Sequence, residues 1–389
     1  MSGEYKQCIR CVMDTTTSLI AFDEKGVCNF CHNYDKIAAE SVLRDRAVRY
    51  AEFDKLISEI KLQGKGKEYD CILGLSGGVD SSYLALITHD HGLRPLVVHF
   101  DNGWDNELAV KNIHHTIEKL NYDMSTYVVD WNEFKDLQLA YFRASVIDLE
   151  VPTDQLIVAT LYKLAKEHGI KNILSGNNFR TEYILPHDWI YSKKLDLVNL
   201  TNIHKKFGKI PLKKFPKIGI NDRYKYQKVD GIRMATFFDK IDFNLKEVKE
   251  RLIKEVNWTP YPGKHYESIF TRFYQGYILP KKFNVDKRKA HLSSLICSGQ
   301  ITREEAVKEL SLPPYPEELQ LEDKIYVIKK WGLTEIEFDR IMNEKPVPHE
   351  SYGEEEGESL FNEMRERIKL IYKYQILKRL GLLKKNETV

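Results

Sequence analysis

The sequence is short of the features that would place it in a membrane, outside the cell or on a polyanion. No run of eighteen apolar residues occurs in its 389 positions, and the first seven residues are polar with no apolar stretch behind them. A membrane span and a secretory signal are therefore not expected, and the expected compartment is the cytoplasm. The formal net charge is only +2, so the chain is not a polycation of the kind that holds nucleic acid by charge alone. Cysteine is scarce as well: Cys8, Cys11, Cys28 and Cys31 are clustered, and only Cys71 and Cys297 follow. No glutaminase is legible, because position 2 is Ser2 and neither Cys71 nor Cys297 sits in a Gly-x-Cys-x-Gly elbow. There is no internal repeat.

What is present is a globular composition, 42% hydrophobic and 30% charged, long enough for two or three domains. The first forty residues are rich in cysteine and turn formers, with DEKG at 23–26 as a hairpin tip. A polar helical stretch is expected over 41–62, then a Gly-Lys-Gly linker at 64–66. From Tyr69 short apolar runs alternate with helical patterns. Strands are expected at 70–75 (DCILGL), 95–100 (PLVVHF), 125–129 (STYVV) and 172–174 (NIL), and helices near 81–91, 106–120, 133–147 and 154–168. This alternation predicts an α/β fold, a parallel sheet flanked by helices, with ligands beyond the carboxyl ends of its strands. After Pro186 the pattern weakens. The 193–233 stretch carries Lys-Lys pairs and aromatics without a motif, and the rest reads as mostly helical, with Thr302/Glu305 and Thr334/Glu337 as capping boxes. A last helix is expected over 360–380, after the acidic 354–358. The expected domains are 1–40, a zinc ribbon; 41–68, a helical linker; 69–186, the α/β core; and 187–389, a mostly helical substrate or partner region.

Two motifs carry chemistry. Ser76-Gly77-Gly78-Val79-Asp80-Ser81-Ser82 lies between a predicted strand and a predicted helix. Glycines let backbone N–H groups approach an anion, the helix N-terminus adds free donors and partial positive charge, and the serines add hydroxyls. Asp80 is placed to hold Mg²⁺ against phosphates. With no Gly-Lys-Ser/Thr, this is not a Walker A loop. A Gly-Gly turn with serines also serves as an ordinary βα connection, but seven consecutive residues in this setting favour the anion loop. Separately, Cys8-x-x-Cys11 and Cys28-x-x-Cys31 form two knuckles sixteen residues apart. Four thiolates suit tetrahedral Zn²⁺ and leave no open position, which points to a structural role over an iron–sulfur cluster or a nucleic-acid finger.

SGGVDSS resembles the signature of the PP-loop ATP pyrophosphatases, whose fold is the adenine nucleotide alpha hydrolase-like (HUP-like) parallel sheet. The resemblance implies ATP cleavage to AMP and pyrophosphate, with the loop on the β- and γ-phosphates. It implies too that Phe100-Asp101 and the turn Gly176-Asn177 lie near the nucleotide. A longer resemblance joins CIRCVMDTT, FDEKGVCNFCHNYD, HFDNGWDNE, SGNNFRTE and the segment from WTPYPGKHYESIF to SGQITREEA. Together these are similar to the N-acetyl sugar amidotransferases of bacterial lipopolysaccharide and surface-polysaccharide biosynthesis. What this implies is amidation of the N-acetyl group of a UDP-linked sugar, with ammonia from a separate glutaminase through a cyclase-like channel subunit. The cofactors implied are ATP, Mg²⁺ and Zn²⁺. In the distal segment Lys264, His265 and Glu267 are candidate catalytic groups, beside Ser76 and Asp80. Arg272, Lys281 and Arg288 are candidate contacts to an anionic sugar nucleotide; for any single one a solvated basic helix face is the better account, but of the distal basic group one or two are expected to reach the site. The competing reading is a tRNA-modifying PP-loop sulfurtransferase or ligase. It is weakened by the lack of a cysteine pair beyond the loop, and nucleic acid is not the expected partner.

Overall fold

The computed structural model describes residues 4–355. The helix expected over 360–380 lies outside them. Five strands, β1 (Cys71–Gly74), β2 (Pro95–Asp101), β3 (Met124–Val128), β4 (Asn172–Ser175) and β5 (Arg233–Thr236), pair all-parallel in the order β3-β2-β1-β4-β5. In chain order the helices are α1 (Asn29–Glu40), α2 (Arg46–Gly64), α3 (Val79–Asp90), α4 (Glu107–Leu120), α5 (Trp131–Arg143), α6 (Val151–Glu167), α7 (Phe179–Glu182), α8 (Leu197–Phe207), α9 (Ile220–Lys228), α10 (Leu245–Val256), α11 (Ile269–Phe273), α12 (Leu279–Phe283), α13 (Arg288–Cys297), α14 (Arg303–Leu310), α15 (Glu317–Trp331) and α16 (Glu335–Asn343).

Strand pleating sorts the apolar residues onto two faces. Cys71, Leu73, Val97, Leu174 and Ala235 join Phe53, Ile57 and Ile60 of α2, Leu84 of α3 and Leu252 of α10 in one buried cluster. Their neighbours Ile72, Leu96, Val98 and Ile173 pack on Ala159, Tyr162 and Ala165 of α6 in another. Both faces being covered explains why the strands read as apolar runs rather than alternating ones. The expected strands and helices of the core are all present within a few residues. The structure adds a strand the sequence did not suggest. β5 (RMAT) is short and lies at the sheet edge, with Met234 exposed and Arg233 tied to Asn172 and Glu59, so it carries no apolar run. It lies beyond the 69–186 span, and α2, expected as a linker, lines the sheet.

Both expected capping boxes form, at Thr302 with Glu305 and at Thr334 with Glu337. The 23–26 turn forms as well, with Asp23 Oδ1 accepting from the amides of Lys25 and Val27, and Gly26 at φ +83°. Some of the lysines in the 193–233 stretch form ion pairs with acidic groups of the core. Lys194 reaches Asp148 and Asp154, and Lys214 reaches Asp130. Among the described residues no helix is long and apolar enough to cross a membrane.

The order β3-β2-β1-β4-β5 puts the reversal of winding between β1 and β4. The loops leaving those strands diverge there and open a crevice at their carboxyl ends.

Candidate active site at the switch point

The loop after β1 is shaped by two glycines. Gly77 sits at φ +78°, and a Cβ on it would stand 2.6 Å from Ala109 O, so only glycine fits on both counts. Gly77 O accepts from Trp258 Nε1 at 2.9 Å and Tyr261 OH at 3.1 Å. With that carbonyl held from behind, the trans peptide turns the N–H of Gly78 the opposite way, toward Ser76 Oγ at 3.4 Å. Gly78 is the N-cap of α3 and gives no side-chain cap, which leaves first-turn amides for an anion. Ser76 and Ser81 face each other, Oγ to Oγ at 3.2 Å, and Ser81 Oγ also donates to Gly78 O. Val79 contributes backbone while its side chain packs beside the α2/α3 cluster. Ser82 is turned into the protein, fully buried with no hydroxyl partner among the described residues. Like Val79, it does not present its side chain to the crevice.

Asp80 stands between the two diverging loops. Asn178, in the turn after β4, donates to Asp80 Oδ1 at 3.1 Å, and a Cβ on Gly176 would lie 3.8 Å from the Asp80 carbonyl carbon. Asn177 stays in the same turn, its amide on Ser175 Oγ. Burial, with the charge of Glu182 added, pushes the Asp80 carboxyl up to about 6. Burial acts upward on Glu182 too, but the charge and hydrogen bond of Lys264, 2.6 Å away, carry it down to about 2. Asp80 and Glu182 are thus two neighbouring carboxylates, the charge of one raising the cost of ionising the other, with the Lys264 ammonium paired to Glu182. Such a pair suits a divalent cation.

The distal segment closes over this group. Lys264 Nζ lies 3.2 Å from His291 Nδ1, and that nitrogen is 2.8 Å from Thr181 O. Burial, then Lys264, lowers the His291 imidazole to about 3, so it is neutral at pH 7. His265 adopts φ +62°, unusual for a non-glycine residue, and its Nδ1 lies 3.3 Å from Glu267 Oε1. The Glu267 carboxyl carbon lies 3.5 Å from where a Cβ on Gly78 would be. Backbone pairing of Asn106 N with Glu267 O, 2.9 Å, pins the segment to the end of β2. There Asp101 Oδ1 caps its own turn through Gly103 N, and Phe100 packs beside Gly74.

Lys264, His265 and Glu267 are therefore brought to the loop. The three proposed substrate cations are not. Arg272 points inward, bidentate to Asp323 at 2.7 and 2.8 Å and flanked by the rings of Tyr266 and Tyr315. Arg288 is consumed by Asp286 and the carbonyls of Glu309, Leu312 and Pro313. Lys281 lies over the Tyr277 ring, 4.0 Å from its centroid, facing solvent. Reading by charge alone missed that an arginine in an aromatic stretch is as useful to a core as to an anion. Conversely Asn178 and Glu182 sit inside the quoted SGNNFRTE run. His291 lies inside the quoted distal segment too, but is not singled out there, since only folding brings α13 against α7.

Cys8, Cys11, Cys28 and Cys31 are fully buried, and their sulfurs all lie within 4.8 Å of one another. Neighbouring pairs stand 3.6, 3.7 and 3.9 Å apart, against about 3.8 Å for the edge of a tetrahedron with ~2.3 Å zinc–sulfur bonds. Backbone amides of Cys11, Cys28 and Met13 point at the sulfurs, as thiolates require. The donor set fits one zinc ion. The module is fastened to α13 and α14 by Val12 N on Ser293 Oγ and by Arg303 on the carbonyls of Cys8 and Cys11.

Residues 267–368 match the model of the C-terminal domain of WbpG-like LPS biosynthesis proteins. The chain resembles that family. The match begins at Glu267, the residue facing the phosphate loop, and it agrees with the resemblance to lipopolysaccharide-biosynthesis amidotransferases drawn from the sequence. No curated protein matches the chain. Similar solved structures include an NMN synthetase from Francisella tularensis, at 14% identity over 56% of this chain and 99% of that one, TM-score 0.28. Another is an NH3-dependent NAD synthetase from Campylobacter jejuni, at 16% identity over 57% and 99%, TM-score 0.28. Likenesses this distant assign nothing to individual residues. The five-stranded parallel sheet, with SGGVDSS running from the end of β1 into the first turn of α3, is the arrangement that the resemblance to the PP-loop ATP pyrophosphatases implies.

Proposed function

We propose that the chain is an AMP-forming, ATP-dependent amidotransferase of surface-polysaccharide biosynthesis. It adenylates the N-acetyl oxygen of a UDP-linked acetamido sugar and replaces that oxygen with ammonia, giving an acetamidino group. The observation that carries this reading is the convergence on one crevice of the phosphate loop, the Asp80/Glu182 pair and the Lys264–Glu267 segment where the WbpG-like match begins.

An amide oxygen leaves poorly, so it must first be converted to a phosphate ester. The substrate oxygen attacks the α-phosphorus and pyrophosphate departs. Ammonia then adds to the activated carbon, loses a proton, and expels AMP. The loop amides, Ser76 and Ser81 hold the leaving pyrophosphate, and Lys264 is placed to follow its charge. Asp80 and Glu182 would hold Mg²⁺, which supplies charge neutralisation on the phosphates. The His265/Glu267 pair is the candidate acceptor of the proton that ammonia sheds. Ammonia would arrive from a separate glutaminase through a cyclase-like channel subunit, and the cytoplasm is the compartment for such substrates. The four-cysteine knuckle would hold Zn²⁺ in a structural role. A sulfurtransferase reading gains no support, since Cys71 is buried in β1 and Cys297 lies 3.7 Å from Cys31, at the knuckle rather than the loop.

Incubation with ATP, Mg²⁺, ammonium and a panel of UDP-acetamido sugars, with and without uronic acid carboxylates, tests the proposal. Release of AMP and pyrophosphate should depend on both sugar and ammonium. AMP release that requires tRNA and a persulfide instead would overturn it.

A further inference from the structure

Thr271, four residues beyond Glu267 in the chain, borders a second polar cluster that the ATP chemistry does not use. It forms where the α5–α6 connection, the start of α6, α11, the 191–194 loop and the start of α13 meet. Asp148, 2% exposed, accepts from Lys194 Nζ at 2.6 Å and from Tyr191 N at 2.9 Å. Lys194 also reaches Asp154 at 2.8 Å. These three satisfy one another, but two further groups remain short of partners. Glu150, the N-cap residue of α6, receives a single side-chain hydrogen bond, from Thr271 Oγ1 at 3.2 Å. Burial and the charges of Asp154 and Asp148 push its carboxyl up to about 7. The Lys287 amine has no hydrogen-bond or ion-pair partner among the described residues, and burial holds it below the usual lysine range although it faces Asp148, Glu150 and Asp154.

Charge selects the class of ligand. An anion would enter beside three carboxylates, and a cation beside two amines. A neutral polyol suits both, because its oxygens accept from an ammonium and its hydroxyls donate to a carboxylate. We infer that Glu150 and Lys287 form the subsite that recognises the pyranose ring of the acceptor, Lys287 donating to one ring substituent and Glu150 accepting a neighbouring hydroxyl. The inference rests on the proposed sugar acceptor. Thr271 stands on α11, whose N-cap Ser268 directly follows Glu267. The subsite is therefore tied, through Thr271, to the same short segment that carries the group facing the phosphate loop, four residues away along the chain.

Calorimetric titration of the full zinc-loaded chain with UDP, UDP-N-acetylglucosamine and UDP-N-acetylgalactosamine tests this. At least one sugar nucleotide should bind wild type about tenfold or more tighter than UDP, the worth of one charge-assisted hydrogen bond. Lys287→Met and Glu150→Gln should each erase most of that increment while leaving ATP affinity and thermal midpoint in place, and Lys287→Arg should restore part of it. If Lys287→Met does not fold, the isosteric Glu150→Gln carries the test. An increment unchanged in the variants, or absent from wild type, overturns the subsite. Loss of the increment in the variants of a protein that amidates no sugar would remove the amidotransferase reading and leave the subsite standing. Sugar amidation with an unchanged sugar KM in both variants would do the reverse.

Discussion

The four-cysteine knuckle and the phosphate loop both gather donors around an ion-sized space, but the protein completes the first and leaves the second open. At the knuckle four buried sulfurs already stand at tetrahedral spacing, and backbone amides are spent on them. At the loop Ser76 is exposed, the two serine hydroxyls bond each other and the loop's own backbone at 3.2–3.4 Å, and the first turn of α3 has no side-chain cap. A saturated site stabilises a fold, whereas one left unsatisfied waits for a ligand. The two are joined by α13. Its Ser293 holds the knuckle, its His291 touches Lys264 and Thr181, and Lys287 caps its start.

The contrast is broken most forcefully at the knuckle. Cys31→Ser should release the metal and cost roughly 3–5 kcal/mol of stability, because a three-thiolate remnant stays buried without its charge partner. Metal content and the thermal midpoint measure this, and unchanged stability would mean that the knuckle is not structural. At the open site the expectation is reversed. Asp80→Asn should lower AMP formation by about a hundredfold or more while the thermal midpoint holds or rises, since it removes a carboxylate held up to about 6 by burial. Full turnover in that variant would displace the cation from Asp80.

The two regions were also unequally legible. Both announce themselves by local chemistry, CxxC spacing in one and Gly-Gly-x-Asp-Ser in the other, because each is a short segment whose function requires those residue types. The central strands β1, β2 and β4 were legible as continuous apolar runs buried on both faces, and the edge strand β3 by its β-branched and aromatic residues. Legibility ended where partners come from far along the chain. β5 is recognisable only by its register on β4. Arg272 looked like a ligand for an anion until Asp323, fifty-one residues on, claimed it. His291 enters the site only because α13 packs on α7. Charge without context marks a residue as costly to bury, and says nothing of which partner offsets that cost.

A smaller effect sharpens the comparison on the open side. Gly77→Ala should cost about 1–3 kcal/mol, because a non-glycine residue at φ +78° is strained and its Cβ would meet Ala109 O. That strain falls on the loop rather than the core. ATP KM should therefore rise severalfold before the thermal midpoint moves by more than a few degrees, which parallel kinetics and melting would separate. A variant with normal ATP KM would show that the loop need not hold this shape to bind phosphate.

The smallest expected effect lies just beneath the loop. His99 places Nδ1 3.2 Å from Leu75 O and Nε2 3.1 Å from Asp105 Oδ2, bridging the end of β1 to the strap before α4. Burial alone would lower its imidazole pKa, but the hydrogen bond and charge of Asp105 outweigh that and raise it. Both ring nitrogens face acceptors, so only the imidazolium makes both bonds. A raised folded pKa means that the native state holds its proton longer than the unfolded chain does. The stabilisation is complete below the unfolded value near 6.5 and is lost as pH rises through the folded value. Wild type should therefore lose stability as pH rises above about 6.5, by about 1 kcal/mol in all, an order-of-magnitude figure for one charged hydrogen bond. His99→Gln should flatten that slope and leave the metal content of the cysteine knuckle untouched. A slope that persists in the variant would trace the titration to another group and leave Asp105, rather than the imidazolium, as the support of the loop.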